Sequence, residues 1–156
     1  HGIDASPEMV EHARSLTKAS ILCGDILGMS NELGKGSFDL ITAMNLQHHL
    51  GHEREWERFI RECRQALRQG GFLVIREPDQ TFLFSLLRWM AGHRFFFKLR
   101  LLRGRLQSLV EEKALLDYFL VRWPKSYGEC LRREGFNVLK DFHWMGHRIV
   151  VSRVQP

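Results

Sequence analysis

Short apolar segments alternate along this chain with segments of helical period, and that alternation restricts the fold more than any other feature. Ser20 to Cys23 and Phe38 to Met44 read as strands. So does Phe72 to Ile75, an unbroken apolar run of the kind buried on both faces of a parallel sheet. Met9, Val10, Ala13 and Leu16 are expected to form the buried face of one helix. Trp56, Phe59, Ile60, Cys63 and Leu67 form that of another, with charges between them, and Gly70-Gly71 is expected to close it. Strand and helix in turn predict βαβ units around a mostly parallel sheet, an α/β class.

The ends of these elements carry their own signals. His1 to Asp4 reads as the end of a strand, and Ser6-Pro7-Glu8 as a helix start, with Ser as N-cap, Pro at the first helical position and Glu near the positive end of the dipole. Gly24-Asp25 stops one strand, and Gly34 to Ser37 forms the turn into the next. Lys125 to Glu134 reads as a helix capped by Gly135. Phe136 to Phe142 and Ile149 to Val154 follow as strands, joined through Gly146 by a connection short enough to require antiparallel pairing. Residues 82–123 break the rhythm and read as two or three inserted helices. The whole, 1–156, is expected to be one partial domain, since the text opens on His1 inside a strand.

Composition narrows the class. The 44% hydrophobic content suits a folded core rather than a disordered chain. A formal charge of +5 favours anionic surroundings or simply a solvated basic surface. Cys23, Cys63 and Cys130 lie far apart without C-x-x-C, so neither a disulfide framework nor a zinc site is suggested, and a cytoplasmic setting is the expectation. The most apolar stretch, Phe82 to Met90, is interrupted by Arg88 and is shorter than the roughly 20 residues that span a bilayer.

Several segments, in this order and spacing, resemble the motifs of class I S-adenosylmethionine-dependent methyltransferases, in particular the type 11/25-like domains. Gly2-Ile3-Asp4-Ala5-Ser6-Pro7-Glu8-Met9 is similar to the end of that family's second strand, and Cys23-Gly24-Asp25-Ile26 to the end of its third. Phe38-Asp39-Leu40-Ile41 resembles the fourth strand, and Ala66 to Leu73 the Gly-Gly entry to the fifth, with Gln69 where Pro is usual. Glu134-Gly135-Phe136 resembles the lead into the sixth. The resemblance implies a Rossmann-like sheet ending in an antiparallel hairpin, with the family's first strand and glycine-rich loop expected ahead of His1. It also implies S-adenosyl-L-methionine as cofactor.

Under that resemblance Asp4 accepts two hydrogen bonds from a ribose diol at a strand's carboxyl end, with Ala5 beside it; the alternative is a turn aspartate. Met9 covers the adenine face or fills the core. Asp25 and the backbone of Ile26 read the adenine edge, or Asp25 ends a strand. Asn45 lies near the methionine part, or in a turn. His48 or His49 takes a proton from the acceptor, since an imidazole titrates near neutrality, or is merely close by. His48, His49 and His52 do not amount to a metal site, because no H-E-x-x-H or completing carboxylate accompanies them. Glu77 and Asp79 are expected at the catalytic rim, in contact with substrate or solvent.

Residues 82–105 place Trp89, Phe95, Phe96 and Phe97 among arginines and a lysine with no acid. Such a lid suits a small hydrophobic, lipid-like or anionic acceptor or shallow membrane-surface contact; the alternative is a helical cap with its basic side in water. No nucleic-acid recognition motif occurs. The competing classes are a nicotinamide-dependent (NAD) oxidoreductase, which also needs an acid after its second strand, and a non-catalytic remnant or scaffold.

Overall fold

In a computed structural model the described residues are 1–50, 53–78, 127–145 and 147–156, without the side chains of His48 and Pro78. The elements run β1 (Gly2–Asp4), α1 (Pro7–Leu16), β2 (Ile21–Cys23), a 3-10 turn (Ile26–Gly28) and α2 (Met29–Leu33). Then come β3 (Phe38–Met44), a second 3-10 turn (Gln47–His49), α3 (Glu53–Ala66), β4 (Leu67–Pro78), α4 (Tyr127–Arg133), β5 (Phe136–Trp144) and β6 (His147–Val154). The insertion expected at 82–123 and the connection through Gly146 lie outside the described residues.

The strands form two sheets. β1 and β2 pair in parallel, and β3, β4, β6 and β5 follow one another in that order. β3 and β4 are parallel, and β6 runs antiparallel to both β4 and β5. The expected α/β class and closing antiparallel hairpin are both present, with β6 alone reversed in its sheet. Facing edges of β1 and β3 pair with no described strand; a groove of about 360 Å³ runs between them. It extends from His1, whose ring meets Phe38 edge-on at 5.8 Å, to Asp4, Met44 and Leu46.

One apolar layer holds the larger sheet. Trp56, Phe59, Ile60, Cys63 and Ala66 of α3 are buried with Leu73 and Ile75 of β4, Val150 and Val154 of β6, Leu131 of α4, and Phe136. The strand period of two sets which residues of β4 share this layer. Phe72, on the other face, is 38% exposed, so among the described residues β4 is covered on one side, not on both.

Two helical expectations are corrected. In α1 Val10 is buried and Ala13 half-buried, but Met9 and Leu16 stand 54% and 70% exposed, because the short β1–β2 pair gives the helix only a narrow surface to cover. α3 stops at Ala66, so Leu67 is buried as the first residue of β4 rather than as the helix's last turn. The carbonyls of Gln65 and Ala66 would be orphaned at the helix end, and the N–H groups of Gly36 and Ser37 bond to them at 2.8 and 2.9 Å. Gly70 (φ 76°) absorbs instead the slip in register between β3 and β4.

Candidate functional site

The ends of β1 and β2 bring the two acids of the sequence reading onto neighbouring strands. Asp4 pairs with Cys23, and the N–H of Gly24 donates to the Asp4 carbonyl at 3.0 Å. Asp25 follows directly, so both exposed carboxylates stand where parallel strands end. Each also shapes its own backbone. Asp4 Oδ1 accepts from Ser6 N at 2.8 Å, and Ser6 in turn caps α1 by accepting from Met9 N. Asp25 Oδ1 accepts from Leu27 N at 2.9 Å and so caps the 3-10 turn. The turn-forming alternatives are thus real local roles, and they leave Oδ2 of each acid without a hydrogen bond among the described residues.

Asp4 and Ile26 line the groove; Ala5, Met9 and Asp25 stand outside it. Met9, exposed on the first turn of α1, is not core filling. Across the groove β3 ends at Met44, and Asn45 turns the chain with φ 55°, a left-handed conformation that Asn tolerates better than most residues. Its N–H donates to Arg76 O at 2.9 Å. His49 is exposed at the end of the second 3-10 turn.

Glu77 corrects the reading made from sequence. Expected at an open rim, it is 1% exposed, on the same face of β4 as Leu73 and Ile75. Its Oε1 accepts from Leu46 N at 2.8 Å and from Gln47 N at 2.9 Å. Asp79 lies outside the described residues.

Gln47 and Tyr127 were not singled out in the sequence. The Tyr127 hydroxyl donates to Gln47 Oε1 at 2.8 Å. Burial, and then the negative charge of Glu77, push that hydroxyl well above the usual tyrosine range, so it stays protonated as a donor. Trp56 packs on the Tyr127 ring at 4.8 Å, and the Arg148 guanidinium lies 5.3 Å from its centre. A tyrosine opening a helix is an ordinary sequence feature, and only the fold brings it to Gln47.

Residues 1–75 match the family model described as a methyltransferase domain. Polyketide synthase 19 of Gibberella fujikuroi is 33% identical over 102 residues, which is 57% of this chain and 4% of that protein. Among solved structures, a possible exported protein of Bordetella parapertussis superposes with a TM-score of 0.68 at 19% identity, over 99% of this chain and 52% of the other. A methyltransferase of Thermotoga maritima, a possible histamine N-methyltransferase, gives 0.64 at 18% identity over 99% of this chain and 72% of its own. The N-methyltransferase NodS of Bradyrhizobium japonicum gives 0.58 at 15%, with 99% and 72% covered. The chain therefore spans a small part of the curated relative and about half of the Bordetella protein.

Proposed function

We propose, from the match of residues 1–75 to the methyltransferase-domain family model, that this chain serves S-adenosyl-L-methionine-dependent methyl transfer, with the adenosine end of the cofactor held at the ends of β1 and β2. One observation carries the reading: Asp4 pairs in register with Cys23, so the carboxylates of Asp4 and Asp25 end adjacent parallel strands. Crevices beyond the carboxyl ends of such strands are where open α/β sheets take nucleotides.

The residues present fit a nucleoside. A carboxylate has about four lone-pair sites, and the backbone uses one oxygen of Asp4, which leaves acceptor capacity for a ribose diol. Asp25 has the same spare capacity for the adenine amino group, with the Ile26 N–H for a ring nitrogen. Met9, exposed in the first turn of α1, offers an apolar cover for the base. Asn45 serves the amino-acid end.

When bound, the cofactor supplies a methyl carbon already activated toward nucleophiles. The protein's remaining work is alignment, exclusion of water and removal of a proton from the acceptor. In this reading His48 or His49, on the turn that follows β3, takes that proton. The basic, aromatic composition of residues 82–105 supports a small hydrophobic, lipid-like or anionic acceptor, with membrane-surface contact as the related proposal.

Calorimetric titration of the protein carrying this chain with S-adenosylhomocysteine tests the assignment. Asp4→Ala removes hydrogen bonds to a charged acceptor, each worth about 1.5–3 kcal/mol, so affinity should fall at least about tenfold. Unchanged affinity defeats the ribose role, and binding of NADH in place of the sulfur ligand defeats the class.

A further inference from the structure

Alternation along β4 puts Leu73, Ile75 and Glu77 on one buried face, where an apolar side chain would be expected at the third position. A carboxyl group in that place costs free energy unless donors surround it. The donors are the N–H groups of Leu46 and Gln47, at 2.8 and 2.9 Å from Oε1. They belong to the start of the 3-10 turn Gln47–His49, whose N-cap residue is Leu46 and makes no side-chain cap bond. The acceptor that a Ser or Asp would normally supply locally comes instead from the neighbouring strand.

We propose that Glu77 is a positioning residue: it caps the turn after β3 from β4, and so fixes where Asn45, His48 and His49 stand relative to cofactor and acceptor. This rests on the methyl-transfer reading for its purpose, though not for its geometry. Register explains the reach. Met44 pairs with Arg76, so the next residue of β4 lies beside the first residues beyond β3. Three successive N–H groups are thereby tied to β4: Asn45 to the Arg76 carbonyl, and Leu46 and Gln47 to Glu77. Tyr127 adds a tie from α4 through the Gln47 side chain, and is itself 1% exposed. A turn that carries a left-handed Asn would otherwise be free to relax.

The test compares Glu77→Leu, Glu77→Gln and Tyr127→Phe in the protein carrying this chain, by amide hydrogen exchange without ligand and by affinity for S-adenosylhomocysteine. Glu77→Leu should speed exchange at Leu46 and Gln47 by about tenfold, the worth of one net hydrogen bond, and leave Leu73 and Ile75 unchanged. Glu77→Gln keeps an acceptor oxygen and should restore both exchange and affinity. Tyr127→Phe, which leaves the capping oxygen in place, should loosen Gln47 less than Glu77→Leu does. Unaltered exchange in Glu77→Leu, or no rescue by glutamine, overturns the proposal. Should the leucine variant not fold, full protection at both amides with glutamine supports the cap, and lost protection overturns it. Failure of the unsubstituted protein to bind S-adenosylhomocysteine would strike the methyl-transfer reading, while the exchange result would still decide the cap.

Discussion

The Ser30 amide donates to Oε2 of Glu62 at 3.0 Å, joining α2 to α3 inside the molecule across 32 positions of sequence. Both residues are buried, at 1% and 9% exposure. Glu62→Ala leaves a buried N–H at the start of α2 without its acceptor, which costs about 1–3 kcal/mol. Urea unfolding should show that loss for alanine and a smaller one for Glu62→Gln, which retains an acceptor. Equal stability of the two variants would mean that the bond contributes nothing.

Local signals were legible in the sequence, and long-range ones were not. Ser6, Pro7 and Glu8 announce α1 because capping acts within one turn, and Ser6 caps as expected. Phe38 to Met44 is read correctly because an apolar run is entered through the turn-forming Gly34 to Ser37 and left at Asn45. The end of α3 is misread because its carbonyls are satisfied by Gly36 and Ser37, which no pattern between Trp56 and Gly71 contains. Glu77 is misread for the same reason: an acid at a strand end, with Asp79 close by, looks like rim until its donors, Leu46 and Gln47, are known. Asp4 and Asp25 are legible as strand-end acids, and their backbone-capping bonds emerge only from the coordinates.

Gly135 follows α4 with φ 85°, and its N–H closes the helix by bonding to Arg132 O at 3.1 Å. A Cβ there would meet nothing nearer than Arg64 Nε at 3.4 Å, so Gly135→Ala is strained by its backbone conformation and not by crowding. A non-glycine residue held in this left-handed region costs about 1–2 kcal/mol. Thermal unfolding should show a corresponding drop, and no drop would mean that the helix end relaxes to another conformation.

Phe59 is 0% exposed on the α3 face that meets the larger sheet, and Trp56 packs against it at 5.4 Å. Phe59→Ala removes a ring from a closed layer and should cost about 3–5 kcal/mol, since surrounding side chains collapse only in part. Phe59→Leu should cost less than half of that. Denaturant midpoints of the two variants check the ratio, and similar losses would mean that the layer tolerates rearrangement.

Arg148 grips Asp141 with two bonds across the β5–β6 pair, Nε to Oδ1 at 2.9 Å and Nη2 to Oδ2 at 2.7 Å. The hydrogen bond from this guanidinium, and then its charge, hold the Asp141 carboxyl below the ordinary aspartate range in spite of partial burial. A group whose folded pKa is depressed stabilises the fold above its unfolded pKa, about 3.9, and loses that contribution as pH falls through the lower folded value. Both side chains are about a third exposed or less, at 26% and 31%, and solvent screening limits the effect to about 1 kcal/mol. Asp141→Asn should therefore lower the urea midpoint by a constant amount from neutral pH down to about pH 5. Below about pH 4 the gap to the unsubstituted protein should close, because protonation then removes from Asp141 the charge that the asparagine variant already lacks. A gap that persists undiminished into acid would assign the loss to packing of the hairpin and not to the ion pair.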